Sequence, residues 1–123
     1  MSVSDPVADL GLRIAHIGIN AASDAEAEAV AAKFQALMGL PRNAVAPISV
    51  FSGTLVETMK GCGRGEKGHI GFHVDDIPAA EEYFSGRGFE VDEASRKLNP
   101  DGTTFLVYFK EQVGGFAIHL TQG

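Results

Sequence analysis

The chain has 123 residues, room for one domain with a real core, and its 45% apolar and 21% charged content is that of a globular protein. A net charge of −6 argues against a nucleic-acid partner and against an anionic membrane surface, since both select basic faces. No apolar run is long enough to span a membrane, Met1 to Leu10 has neither a basic nor an apolar leader region, and the single cysteine, Cys62, can close no internal disulfide, so a cytoplasmic protein is expected.

Residues 1–11 read as a polar, loosely patterned lead-in, expected to be partly mobile. Leu12 to Asn20 alternates with a period of two, which predicts a strand with Ile17 and Ile19 on one face and His16, Gly18 and Asn20 on the other. Ser23 and Glu26 have the spacing of a capping box. Ala27, Val30, Ala31, Phe34, Leu37 and Met38 then recur at helical steps up to Gly39 and Pro41, with Phe34, Leu37 and Met38 expected in the core. Asn43 to Lys60 is rich in Val, Ile, Phe and Thr and predicts two or three short strands turning at Ser52-Gly53. In the last of them Leu55, Glu57 and Met59 share a face. Residues 61–68 are glycine-rich and read as a flexible linker.

The chain then repeats itself. Gly68-His69-Ile70-Gly71-Phe72-His73 nearly copies His16-Ile17-Gly18-Ile19-Asn20, with its histidine 53 residues later. A helix is predicted from Pro78 to Ser85, capped by Asp75 or Asp76. A strand is expected over 89–97, a turn at Asn99-Pro100-Asp101-Gly102, a strand over 103–110, a turn at Val113-Gly114-Gly115 and a last strand over 116–121. The order strand-helix-strand-strand-strand thus occurs twice. The expectation is one α+β domain, 1–123, made of modules at about 12–60 and 69–122 joined by the linker 61–68.

Four ionisable residues occupy matched places. His16 and His69 open the first strand of each module, and Glu57 and His119 lie in the last, each inside an apolar strand. Such groups are costly there unless paired or metal-bound. Three imidazoles and a carboxylate suit a first-row divalent ion. Buried residues satisfied by hydrogen bonds are the plain alternative. His73, on the face of His69, reads as a pocket-lining or hydrogen-bonding residue. Gly63-x-Gly65-x-x-Gly68 matches a dinucleotide fingerprint by letter, but a strand follows where a helix must begin.

The phrases His16-Ile-Gly-Ile-Asn20, Leu55-Val-Glu-Thr-Met59, Gly68-His-Ile-Gly-Phe-His-Val-Asp-Asp-Ile77 and Gly114-Gly-Phe-Ala-Ile-His-Leu120 resemble the vicinal oxygen chelate superfamily. That superfamily includes glyoxalase I, fosfomycin and bleomycin resistance proteins, methylmalonyl-CoA epimerase and extradiol dioxygenases. The resemblance covers about residues 12–122. It implies that two βαβββ modules pair into a cup-shaped mixed sheet with helices outside. It also implies a divalent metal (Zn, Ni, Mn, Fe or Co) held in the cup by His16, Glu57, His69 and His119. Many metal-bearing members have a glutamate, often a base as well as a ligand, where this chain has His119. The ending Gly-Gly-Phe-Ala-Ile-His-Leu resembles a small branch associated with 2-keto-3-deoxy-phosphogluconate aldolases, although this chain is too short for the barrel of that aldolase, about 200 residues or more.

Three neutral histidines, one glutamate and a divalent ion sum to a single positive charge. The expected substrate is therefore a small anionic molecule such as a 2-keto acid or sugar acid, handled by metal-stabilised enolate chemistry as a lyase or isomerase. Glu57 or a metal-bound hydroxide is the candidate base, and Asn20 and His73 are candidate substrate contacts. Two other readings stand beside it: an iron dioxygenase using two histidines and a carboxylate, and a non-catalytic small-molecule-binding protein of the same fold. A homodimer is expected from the resemblance.

Overall fold

A computed structural model describes residues 3–122. A one-turn helix α1 (Pro6–Leu10) precedes strand β1 (Arg13–Ala21), helix α2 (Asp24–Met38) and strands β2 (Arg42–Ala46), β3 (Ser49–Ser52) and β4 (Val56–Lys60). The second module runs through β5 (Gly68–His73), α3 (Ile77–Gly86), a short 3-10 turn (Glu93–Ser95), β6 (Lys97–Leu98), β7 (Thr104–Tyr108) and β8 (Phe116–Thr121). These strands form one curled sheet in the order β2-β3-β4-β1-β5-β8-β7-β6.

The internal repeat accounts for that order. The first strands of the two modules, β1 and β5, pair antiparallel at the centre, with Gly18 opposite His69. Each is flanked in parallel by the last strand of its own module, with Gly18 opposite Glu57 and Gly71 opposite His119. The cup is therefore built within one chain, and each module supplies half its wall.

The helices cover the outer face. In α2, Ala27 and Ala31 are fully buried with Ala21 and Val50, small side chains that let the helix approach β3 and β4. Across the sheet, Ile77 and Ala80 of α3 pack with Leu10, Val74, Val107 and Leu120. Ser23 and Asp76 cap these helices through the backbone N–H groups of Glu26 and Ala79, at 3.1 Å in each case. No helix among the described residues is long and apolar enough to cross a membrane.

The structure departs from the sequence reading in four places. The lead-in holds a helix: Asp5 caps it, Pro6 begins it, Gly11 ends it at φ 66°, and Leu10 is buried in the core. Leu37 and Met38 are 71% and 63% exposed, because helical periodicity marks a side of α2 but not how far a covering layer extends along it. The strand expected over 89–97 shrinks to a bridge between Val91 and Phe109 and the two residues of β6. There the Asp92 carboxylate accepts from the backbone of Ala94 at 3.1 Å, and this local bond breaks the ladder. Finally, the segment 61–67 is tied down rather than free: the Asn20 amide donates to the Gly65 carbonyl at 2.9 Å, and the Lys67 N–H to that of Gly115 at 2.8 Å.

Candidate metal centre

A strand shows alternate side chains to one face, so the register above carries His16, Glu57, His69 and His119 to a common point in the cup. His16 Nε2 lies 3.2 Å from His69 Nε2 and 3.3 Å from His119 Nε2. Glu57 Oε1 lies 3.2 Å from His69 Nε2 and 3.7 Å from His16 Nε2. His69 and His119 are buried and His16 is half-buried. Glycine makes the room: a Cβ at Gly71 would stand 2.6 Å from His119 Cε1 and 2.7 Å from His16 Cε1, and one at Gly18 would collide with the His69 ring.

The electrostatics keep the donors ready. Burial lowers the His16 pKa, with the neighbouring His69 ring adding to the effect and Glu57 opposing it. Burial, then the His16 and His69 rings, bring His119 down to about 3. Burial alone would raise the Glu57 pKa, but hydrogen bonds from His69 and Ser49 outweigh it and hold the carboxyl below its usual range. The Ser49 hydroxyl donates to Glu57 Oε2 at 2.6 Å, which leaves Oε1 turned to the histidines.

This donor set fits a divalent ion. Donors sharing an ion at about 2.0–2.2 Å lie roughly 3–3.5 Å from one another, the spacing of His16 to His69, of His16 to His119 and of Glu57 Oε1 to His69. Without an ion, the arrangement is poorly satisfied. His16 Nε2 faces two other Nε2 atoms and can donate to only one of them. His119 Nδ1 sits 3.4 Å from the Leu120 carbonyl, an acceptor, which leaves its Nε2 lone pair facing the cup. The three histidines form the potential metal-holding cluster found among the described residues, and Glu57 lies beside it.

No protein-family model matches the sequence, and no curated protein does. Solved structures match the fold. One is a methylmalonyl-CoA epimerase, with a TM-score of 0.57 at 22% identity over 88% of this chain and 92% of its own. Another is the methylmalonyl-CoA epimerase from Mycobacterium tuberculosis, at 0.60 and 11% over 98% and 91%. A hypothetical protein from Bacillus halodurans C-125 matches at 0.58 and 12% over 89% and 93%. The fold is that of the vicinal oxygen chelate proteins. None of these three structures supports the aldolase-associated branch.

Within this cup, the two candidate substrate contacts sit apart from the four donors. Asn20 spends its amide N–H on Gly65, and its Oδ1 is buried without a partner. His73 lies four residues along β5 from His69, with Nε2 2.9 Å from Asp75 Oδ1 and Nδ1 buried without a partner. Asp75 therefore binds His73, and Asp76 alone caps α3.

Four neighbours of the centre escaped the sequence reading. Ser49 orients Glu57. Phe51 stands edge-on to His16 with ring centroids 5.6 Å apart, and Tyr108 lies 4.9 Å from the His119 ring. The two aromatics are repeat mates: Phe51 is opposite Glu57 and Tyr108 is opposite His119. Burial, helped by the Glu57 charge, pushes the Tyr108 phenol up to about 12 against the opposing pull of Arg64. Arg64 itself lies over the Tyr108 ring, 4.5 Å from its centroid. The repeat offered a signal for the aromatic pair, but only strand register reveals it.

Proposed function

We propose that this chain is a divalent-metal-dependent enzyme acting on a small anionic substrate with two neighbouring oxygens, such as a 2-keto acid or a sugar acid. The ligands are His16, Glu57, His69 and His119. The observation that carries this reading is the meeting of the His16, His69 and His119 Nε2 atoms, with Glu57 Oε1 beside them, at the spacing of donors to one ion. When bound, the ion supplies Lewis-acid chemistry that stabilises an enolate next to a substrate carbonyl.

The chain's own residues do the rest. His16 and His119 present neutral nitrogens, because burial disfavours their charged forms. Glu57 contributes the one negative charge, and Ser49 holds one of its oxygens so that the other faces the cup. The buried Tyr108 phenol stays protonated at neutral pH. Aromatic walls at Phe51 and Tyr108 flank the His16 and His119 rings. Two of the structural likenesses are methylmalonyl-CoA epimerases, and epimerisation beside a carbonyl belongs to this class of chemistry. The cup is complete in one chain, so the expected homodimer is not needed to build it.

The test is proton exchange. Untagged chain, loaded in turn with Zn, Ni, Mn, Co or Fe(II), is incubated with 2-keto acids in D2O and followed by NMR. The expected result is metal-dependent deuterium uptake beside the carbonyl that Glu57→Gln abolishes. Stoichiometric metal without exchange would favour the binding-protein reading. No metal uptake would end the site assignment. Ring cleavage of catechols by the Fe(II) form would move the chemistry to a dioxygenase.

A further inference from the structure

We infer that Arg64, delivered by the segment joining the two modules, reads a second carboxylate on the ligand held at the metal centre. The inference rests on the metal-site reading for where the ligand sits, and it names what else that ligand carries.

The segment 61–67 is built to hold one conformation. Gly61, Gly63 and Gly65 have φ of 75°, 120° and 85°, which L side chains rarely adopt. A Cβ at Gly63 would run into Asn20 and Met59 of the first module. On the other side, the Glu66 N–H donates to Gln112 Oε1 at 3.2 Å and the Lys67 N–H to the Gly115 carbonyl at 2.8 Å, both in the second module. The segment therefore straps one module to the other. Arg64 lies between these anchors, over the face of Tyr108, whose ring touches that of His119.

The position of Arg64 matters because this chain is acidic. Four of the other basic groups are held in ion pairs elsewhere: Arg42 and Lys60 with Glu28, Arg96 with Glu81 and Glu93, Lys110 with Glu90. Arg64 is the cation one ring away from a candidate ligand. Its present partner is weakly held, since Asp92 Oδ2 is 3.5 Å away and the two side chains are 48% and 34% exposed. The other oxygen of Asp92 caps the 3-10 turn. A planar guanidinium laid on an aromatic face and loosely paired with a carboxylate is ready to exchange it for a ligand carboxylate in a two-bond fork. Asp92 is then an internal stand-in that the ligand displaces.

The experiment compares 2-ketoglutarate with 2-ketovalerate by calorimetric titration of the metal-loaded chain. The two share a five-carbon 2-keto acid frame and differ in the distal carboxylate. Wild type is expected to prefer 2-ketoglutarate roughly five-fold or more, the scale of a part-exposed charged pair. Arg64→Gln should bring the ratio close to one with metal content still stoichiometric, and Arg64→Lys should restore part of it. Asp92→Asn, which keeps an oxygen for the cap, should raise the ratio above wild type. A merely structural role for Arg64 gives no reason for opposite signs in these variants. A wild-type ratio near one, or a preference that survives Arg64→Gln, overturns the assignment. If the chain takes up no metal, the metal reading fails by itself. The same titration on metal-free chain then decides Arg64, for it if Arg64→Gln removes a dicarboxylate preference and against it otherwise.

Discussion

His16 and His119 stand 103 residues apart in the chain and meet Nε2 to Nε2 at 3.3 Å. Each belongs to a different module, so their contact depends on the β1–β5 pairing at the centre of the sheet. Most of what can be tested about the centre follows from how tightly such contacts are packed.

Gly71 lies between those two rings without needing a left-handed backbone, so Gly71→Ala isolates space from conformation. The added methyl meets both rings and must displace at least one. The expected outcome is metal affinity lowered by about ten-fold or more, the scale on which disturbing a ligand's support acts. Competition with a chromogenic chelator measures it. Wild-type affinity in Gly71→Ala would mean that these rings do not share an ion.

Glu57→Gln keeps the shape and removes the charge. Loss of the one anionic donor should weaken metal binding more than Ser49→Ala, which only frees an oxygen that Ser49 now holds. The same chelator assay ranks the two, and the reverse order would remove Glu57 from the ligand set.

His119→Glu should keep the metal but weaken anionic ligands, because the site charge with a divalent ion falls from plus one to zero. Calorimetry with 2-ketoglutarate on the loaded variant gives the result. Tighter binding than wild type would contradict the charge argument.

The metal-stripped chain should lose stability as the pH falls below about 6.5, the value an unfolded histidine takes. His119 is held at about 3 in the fold, so below 6.5 the unfolded chain accepts a proton that the folded chain refuses. The loss grows as the pH falls toward about 3, while above 6.5 this group contributes no slope. Urea midpoints at pH 7 and pH 5 should differ in that direction, and His119→Asn should reduce the difference. A midpoint that rises on acidification would reverse the assigned sign.

Leu10→Ala tests the first helix. Leu10 is 1% exposed and packs with Val74, Ile77 and Leu120, so the change should cost about 2–5 kcal/mol in urea denaturation. A cost below about 1 kcal/mol would mean that α1 is not anchored in the core.

Much of this architecture was legible because two periods suffice for it. Alternation placed His16 with Gly18 and His69 with Gly71, and the repeat said that the two strands are equivalent. The donors could be paired by position before any strand pairing was known. Ser49, Phe51, Tyr108 and Arg64 could not, since each reaches the centre only through cross-strand register or the path of the connecting segment. The first helix was missed although Asp5, Pro6 and Gly11 are ordinary start and stop signals, because one turn shows no periodicity. Leu37 and Met38 show the converse: a clear helical pattern whose covering layer the sequence does not reveal.

Joining the two modules in one chain also changes what substitutions can do to the cup. His16 and Glu57 come from the first half, His69 and His119 from the second. A pair of identical first halves would offer two histidines and two glutamates and would just neutralise a divalent ion. A pair of identical second halves would offer four histidines and leave two positive charges. Any substitution in such a symmetric pair appears twice, so its charge moves in steps of two. The covalent duplication breaks that parity. It gives a pocket with an odd charge, which no symmetric dimer of half-length chains can build, and lets ligand preference be adjusted one unit at a time.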